Sequence, residues 1–332
     1  MRYLVTGGSG FIGINLIKKL LKNKNNKILN IDNLTYASNN KVLNNLPKSN
    51  YKFIKKNINQ TKEIFSNLVK FKPNIIFNLA AESHVDNSLN IPALFLKTNI
   101  FGTYSMLESS MKYYNSLTLE NKKKFKFIHI STDEVYGSNN SKNLLSTENS
   151  IYLPNSPYSA SKASSDHLVR SWFKSYGLPT IITNCSNNYG PFQNKEKLIP
   201  MIIHNAIHNK SIGIYDNGKQ IRDWIHVSDH VNALITIAQR GKIGEKYNIG
   251  SNNRISNINL TVKICNHLDN LIENKQSHKN LIKFVDDRPG HDWRYALNSK
   301  KINSSTGWYP KVEFSKGLFN TIKWYISYYK NL

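Results

Sequence analysis

The stretch Tyr3–Gly13, YLVTGGSGFIG, decides the fold. A short apolar run ends at three glycines spaced three apart: Gly7, Gly10 and Gly13. Ile12, Leu16 and Leu20, with Ile17 and Leu21, then recur at helical spacing through FIGINLIKKLLKN. Strand, glycine loop and helix therefore follow in order. Glycine permits the tight turn and lets backbone N–H groups approach a phosphate, which then rests at a helix N-terminus.

The same alternation continues outward. KILNID reads as a second strand, YKFIKKN as a third, NIIFNLA as a fourth, FKFIHIS as a fifth and PTIITNCS as a sixth. Helical patterns fill the gaps, notably ALFLKTNIFGTYSMLESSMKYY and YSASKASSDHLVRSWFKSYG, the latter ending at Gly177. Such alternation predicts an α/β fold, a Rossmann-type doubly wound parallel sheet. Residues 1–185 are expected to form a dinucleotide-binding domain, and 186–332 mainly a smaller substrate lobe. Past residue 186 turn residues crowd NNYGPFQNKEKLIP, and the C-terminal region reads as short elements and loops. The helix HVSDHVNALITIAQR and the strand GEKYNIG bring the chain back to the sheet at about 222–250. Ligands bind beyond the carboxyl ends of the strands in such sheets, so the lobes should frame a cleft there.

Asp32 closes the second strand, where an acid can hold the ribose diol of an adenine dinucleotide. Its charge would repel a 2′-phosphate, so the expected cofactor is NAD rather than NADP. SPYSASK sets Tyr158 and Lys162 four apart, on one helix face. A lysine beside a phenol lowers its pKa, so Tyr158 can take a proton from a substrate hydroxyl as hydride leaves. Thr132 can bond the same hydroxyl. Directly after it, in FIHISTDEVYG, stand Asp133 and Glu134. Neighbouring carboxyls in a dry cleft do not both ionise readily, so one can hold a proton. Adjacent side chains on a strand point to opposite faces. Both acids can serve one site only if the strand stops at Thr132.

Composition narrows the alternatives. The 332 residues are 39% hydrophobic, enough for a sizeable core. No apolar run approaches the roughly 18 residues that span a bilayer, and the opening residues do not read as a signal peptide. The net charge is +24, from 45 basic and 21 acidic residues, but the lysines are spread through solvated helix ends and loops. Nucleic-acid binding is not expected. Cys185 and Cys265 have no metal spacing and agree with a reducing cytoplasm. His204 and His208 stand four apart without a third ligand, so no metal is expected.

With STDEVYG, LAAESHVDNS, SPYSASKASSDHLVRSW, TNCSNNYGP, EKLIP, IRDWIHV and DRPGHDWRYA, the whole chain resembles the extended short-chain dehydrogenase/reductases. Within them it is similar to the dTDP-glucose 4,6-dehydratases; the related epimerases lack the Asp-Glu pair. The resemblance implies a lyase that oxidises dTDP-glucose at C4, removes water across C5–C6 and returns hydride to C6. Glu134 would be the base at C5 and Asp133 the acid for the leaving 6-hydroxyl. The cofactor contacts it implies are the glycine loop with Phe11 and Ile12, then Asp32, Asn33, Leu34, Thr35, Asn57 and Ile58. They continue with Leu79, Ala80, Ala81, Thr98, Tyr158, Lys162 and Asn188. The nucleotide-sugar would meet Ser83, Thr132, Asn187, Lys197, Leu198, Tyr215, Arg222 and Asn257, and the loop bearing Asp287, Arg288 and His291. Arg222 and Arg288 suit a diphosphate because a guanidinium can bond two oxygens at once. Two departures from the pattern are Asn57, where an aspartate is usual, and Ile14, where a small residue is common. A UDP-glucose dehydratase, or an epimerase or decarboxylase on this scaffold, is the alternative enzyme, and an NAD-sensing or RNA-binding protein is the non-enzyme alternative. A cytoplasmic homodimer is implied as well.

Overall fold

The computed structural model describes residues 1–139, 141, 143–273 and 276–330. Its strands are β1 (Arg2–Thr6), β2 (Lys27–Asp32), β3 (Tyr51–Lys55), β4 (Ile75–Asn78), β5 (Lys126–Thr132), β6 (Thr180–Cys185), β7 (Asn187–Tyr189), β8 (Ile212–Tyr215), β9 (Ile221–His226), β10 (Lys246–Ile249), β11 (Arg254–Ser256) and β12 (Ile282–Val285). Seven of them form one parallel sheet in the order β10-β6-β5-β4-β1-β2-β3. From β1 the chain winds outward to β3, then returns to place β4 on the other side of β1. The crevice at that reversal is where such sheets take a ligand.

Helices cover both faces. Phe11–Leu20 and Val227–Arg240 share one core with β1 and β5, through Leu16, Ile17, Val231 and Leu234. On the other face Leu68, Met106, Leu107, Val169 and Trp172 pack over β4 and β5. The long apolar pattern after residue 92 is helical throughout but not uniform. Leu96–Phe101 is a π-helical turn between Pro92–Phe95 and Gly102–Asn115. Such wide turns often mark functional positions, and this one carries Thr98.

The second lobe rests on the three-stranded sheet β11-β9-β7 and the pair β12–β8. Its core joins Ile199, Ile202, Leu260, Ile264, Leu318 and Ile322. The C-terminal region is more regular than its sequence suggests. Asn257–Leu271 is a 15-residue helix and Phe314–Lys330 a 17-residue one. Asparagine and lysine dilute the apolar spacing in both, and packing against the helix Leu198–Ile207 supplies what propensity does not.

Two local devices position the site. Ser156 caps the helix Pro157–Tyr176: its Oγ accepts from Ser159 N at 3.1 Å, and Ser159 Oγ accepts from Ser156 N at 3.0 Å. With Pro157 in the first turn, this fixes where Tyr158 and Lys162 emerge. β5 then stops at Thr132, as the paired acids require, and Asp133–Tyr136 forms a 3₁₀ turn. Gly137 closes that turn at φ +72°, and a Cβ there would lie 2.1 Å from Leu153 O. Gly177 has the same φ of +72° with nothing within 4 Å. Gly177→Ala should therefore lose only the left-handed backbone preference, about 1–2 kcal/mol. Gly137→Ala should lose more and lower activity too. Thermal midpoints that fall equally in the two variants would contradict this account.

Candidate active site

A cavity of about 970 Å³ opens along the carboxyl edge of the sheet, at the large end of the roughly 300–1,000 Å³ usual for small-molecule sites. At one end lies the glycine loop. Gly7 has φ +66°, and a Cβ on it would meet Ala80 N at 2.7 Å. One on Gly13 would meet Gly7 O at 2.4 Å. These positions keep strand, loop and helix close enough for backbone N–H groups to face an anion. Asp32 is buried beside them. Its Oδ2 accepts from Ser9 N at 2.9 Å, and its Oδ1 from Leu34 N at 2.8 Å and Ser38 Oγ at 3.0 Å. Glycine cradle and aspartate together fit the diphosphate and ribose of a dinucleotide.

At the centre are Thr132, Asp133, Glu134, Tyr158 and Lys162, all lining the same cavity. Asp133 is buried; its Oδ1 accepts from Thr132 Oγ1 at 3.3 Å, and its Oδ2 has no hydrogen-bond partner. Burial, then the charges of Glu134 and Asp223, hold its carboxyl well above the usual range. Burial also raises Glu134, but Arg288, Arg222 and Lys197 oppose the rise. The environment thus favours the proton on Asp133 and the charge on Glu134.

The Tyr158 phenol differs from expectation. Burial, then Glu134 and Cys185, push it well above its ordinary value, with a hydrogen bond from Thr132 opposing. Lys162 Nζ donates to Ile130 O at 2.8 Å, and burial lowers its pKa. The protein's own groups therefore do not lower the phenol as the Tyr/Lys spacing suggested.

Facing the acids, Arg222 is buried. Its Nη1 donates to Ile221 O at 2.9 Å and its Nη2 to Asp292 O at 2.9 Å, and the guanidinium lies 4.3 Å from the Tyr295 ring centre. Arg288 Nη1 pairs with Asp86 Oδ1 at 2.9 Å, and Tyr215 Oη donates to Asp86 Oδ2 at 3.0 Å. Lys197 Nζ donates to Ser83 O at 2.6 Å. Asn187 Oδ1 and Asn257 Oδ1 are buried without partners, while Asn188 Oδ1 meets His230 Nδ1 at 2.8 Å.

The sequence-derived cofactor and substrate residues line this cavity, apart from two. Leu34, at φ 56°, gives its N–H to Asp32, and Asp287 gives a carboxylate oxygen to His291 Nδ1 at 2.6 Å. Asn57 lines the cavity, but its Oδ1 accepts from Asn59 N at 2.9 Å, so its acceptor turns the backbone rather than standing free. Ile14 is core. His204 and His208 stack at 4.4 Å beside Tyr329. Sequence reading passed over Tyr295 and Asp86. Both fall inside motifs already singled out, DRPGHDWRYA and LAAESHVDNS, so the motif edges were the available signal.

A dinucleotide cradle on a Rossmann-type sheet, a Thr/Tyr/Lys set and a second lobe bearing arginines give the fold and site layout of the short-chain dehydrogenase/reductase type. The family model described as GDP-mannose 4,6 dehydratase matches residues 4–321. The chain belongs to that family, among its dTDP-glucose 4,6-dehydratases. It is 47% identical to dTDP-glucose 4,6-dehydratase 1 of Escherichia coli (strain K12), over 98% of this chain and 93% of that one. Identity is also 47% to dTDP-glucose 4,6-dehydratase of Haemophilus influenzae, over 98% of both chains. The crystal structure of a dTDP-glucose 4,6-dehydratase from Bacillus anthracis in complex with NAD has a TM-score of 0.87 and 38% identity, covering 99% of this chain and 98% of that one.

A carboxyl whose folded pKa lies above its unfolded value takes up protons on folding. Asp133 therefore subtracts stability as pH rises above the unfolded aspartate value near 3.9, up to its raised folded value. Asp133→Asn carries no such penalty. Its thermal midpoint should exceed the wild type's, by a margin that grows from pH 4 upward; a margin constant with pH would refute the charge assignment.

Proposed function

We infer that this protein is an NAD-dependent hydro-lyase that converts dTDP-glucose to dTDP-4-keto-6-deoxyglucose. One observation carries the reading. The hydride-transfer set Thr132, Tyr158 and Lys162 shares a cavity with two adjacent acids, of which Asp133 is held well above its usual range while cations oppose the rise of Glu134. An epimerase needs only the first set.

Residues 1–185 hold the cofactor, through Gly7, Gly10, Gly13 and Asp32. The chain returns to their sheet with the helix Val227–Arg240 and β10, later than the 222 expected from sequence because Ile221–His226 pairs in the second lobe. NAD, when bound, takes hydride from sugar C4 and gives it back at C6. Thr132 orients the 4-hydroxyl, and Tyr158 accepts its proton. The resulting ketone acidifies the C5 proton, which Glu134 removes. Asp133 gives its proton to the departing 6-hydroxyl, so that water leaves. Arg222, Arg288 and Lys197 supply positive charge for the diphosphate.

Glu134→Gln should keep the oxidation step and lose the elimination. Incubation with dTDP-glucose should build up absorbance at the wavelength of NADH, while 4-keto product falls by about 10²–10⁴-fold. Full turnover by this variant would remove Glu134 from the role. Tyr158→Phe should show neither signal. The wild-type enzyme should turn over dTDP-glucose in preference to UDP-glucose; the reverse preference would reassign the base.

We also place the protein in the cytoplasm as a homodimer without nucleic-acid partners. Leu94, Phe101, Tyr104 and Tyr176 are exposed on helices of the large lobe, which supports pairing there. Light scattering should give twice the chain mass of 38.1 kDa; a monomer would exclude the pairing.

A further inference from the structure

Asp86 stands on the short helix Val85–Asn90, just beyond the carboxyl end of β4, and so belongs to the large lobe. Both of its polar partners at hydrogen-bond distance belong to the other lobe. Oδ1 is 2.9 Å from Arg288 Nη1, and Oδ2 accepts from Tyr215 Oη at 3.0 Å. His84 Nε2 approaches Oδ2 at 4.0 Å. All four side chains line the cavity. The carboxylate therefore spans the cleft mouth and joins the end of β8 to the loop after β12.

The guanidinium is held by one corner only. Arg288 Nε is buried and has no hydrogen-bond partner. A buried charged donor left unsatisfied is unfavourable, so this one calls for an acceptor inside the cavity. Burial works against the Asp86 charge, but the bonds and charges of Arg288 and the hydroxyl of Tyr215 prevail and keep it ionised. A carboxylate so placed cannot itself bind a phosphate. It can fix the plane of the guanidinium whose other edge does.

We propose that Asp86 is a positioning residue for the nucleotide-sugar, orienting Arg288 and Tyr215 across the cleft so that the free Nε–H of Arg288 meets the diphosphate. The proposal rests on the nucleotide-sugar reading of the cavity. Asp86 bonds Arg288 and Tyr215 rather than the Thr132, Tyr158 and Lys162 set, so its removal should act on diphosphate affinity more than on the chemical step. An Asp86 that merely competed with phosphate for Arg288 would have the opposite effect, since removing it would free the arginine.

The test is calorimetric titration of the NAD-loaded full-length protein with dTDP, which needs no turnover. Asp86→Asn should weaken dTDP about tenfold, with the thermal midpoint little changed. Arg288→Met should weaken it by at least as much. The double variant should be no weaker than Arg288→Met alone, because Asp86 acts through that arginine. In dTDP-glucose turnover, KM should rise in Asp86→Asn with a much smaller change in kcat. Tyr215→Phe, which removes one hydroxyl from the same carboxylate, should weaken dTDP a few-fold and non-additively with Arg288→Met; it decides the matter if Asp86→Asn does not fold. Unchanged or tighter dTDP binding in Asp86→Asn, or additive losses in the double variant, would overturn the proposal. Failure of the wild type to act on dTDP-glucose while these couplings hold would instead overturn the substrate reading.

Discussion

Two carboxyl groups on consecutive residues in a largely buried cleft resist being ionised together. The organisation of this site follows from that constraint. At 4 Å, like charges repel by about 4 kcal/mol even at an effective dielectric of 20. Asp133 faces Glu134 and Asp223 with Arg222 opposing, while Glu134 faces Arg288, Arg222 and Lys197 from the other lobe with Asp292 opposing them. The second lobe thus does more than grip a substrate. Its cations decide which of the two acids keeps the proton.

That division depends on backbone. On a continuing strand one carboxyl would turn away into the opposite face. The 3₁₀ turn at Asp133–Tyr136 prevents this, and Gly137 lets the chain pass within contact of Leu153. Behind the turn, a buried polar chain ties the strands to the catalytic helix. Thr6 Oγ1 donates to Asn78 Oδ1 at 2.8 Å, Asn78 Nδ2 lies 3.1 Å from His129 Nδ1, and His129 Nε2 lies 3.2 Å from Ser165 Oγ. Burial and the Lys162 charge keep His129 well below its ordinary pKa, so it serves this chain as a neutral group. Glycine loop, acid pair and catalytic helix are therefore locked into one frame.

Much of this was legible in sequence because it is encoded locally. Glycine spacing, strand-helix alternation, the acid after β2 and the Tyr/Lys interval each need only a few neighbouring residues. The requirement that β5 end at Thr132 also followed from strand geometry alone. What escaped depends on contacts between distant segments. Asp86 and Arg288 are 202 positions apart, and nothing near either names the other. The helices Asn257–Leu271 and Phe314–Lys330 escaped for a related reason. Their apolar faces are clear only once each lies against the other and against Leu198–Ile207.

Tyr158 shows where local reading misleads. The four-residue interval to Lys162 does put both on one helix face, yet the ammonium bonds Ile130 O, and Asp166 one turn further is its largest acidic influence. The phenol meanwhile is raised by burial and by Glu134. A phenol so placed keeps its own proton until positive charge enters the cavity beside it, and an oxidised nicotinamide would be such a charge. In the reaction proposed above, proton abstraction at the 4-hydroxyl would then be conditional on a loaded site, tying the first chemical step to occupancy. Glu134 has a part in that coupling. Its charge opposes ionisation of Tyr158, so in the reaction proposed above one carboxylate would restrain the oxidation that precedes its own turn as base.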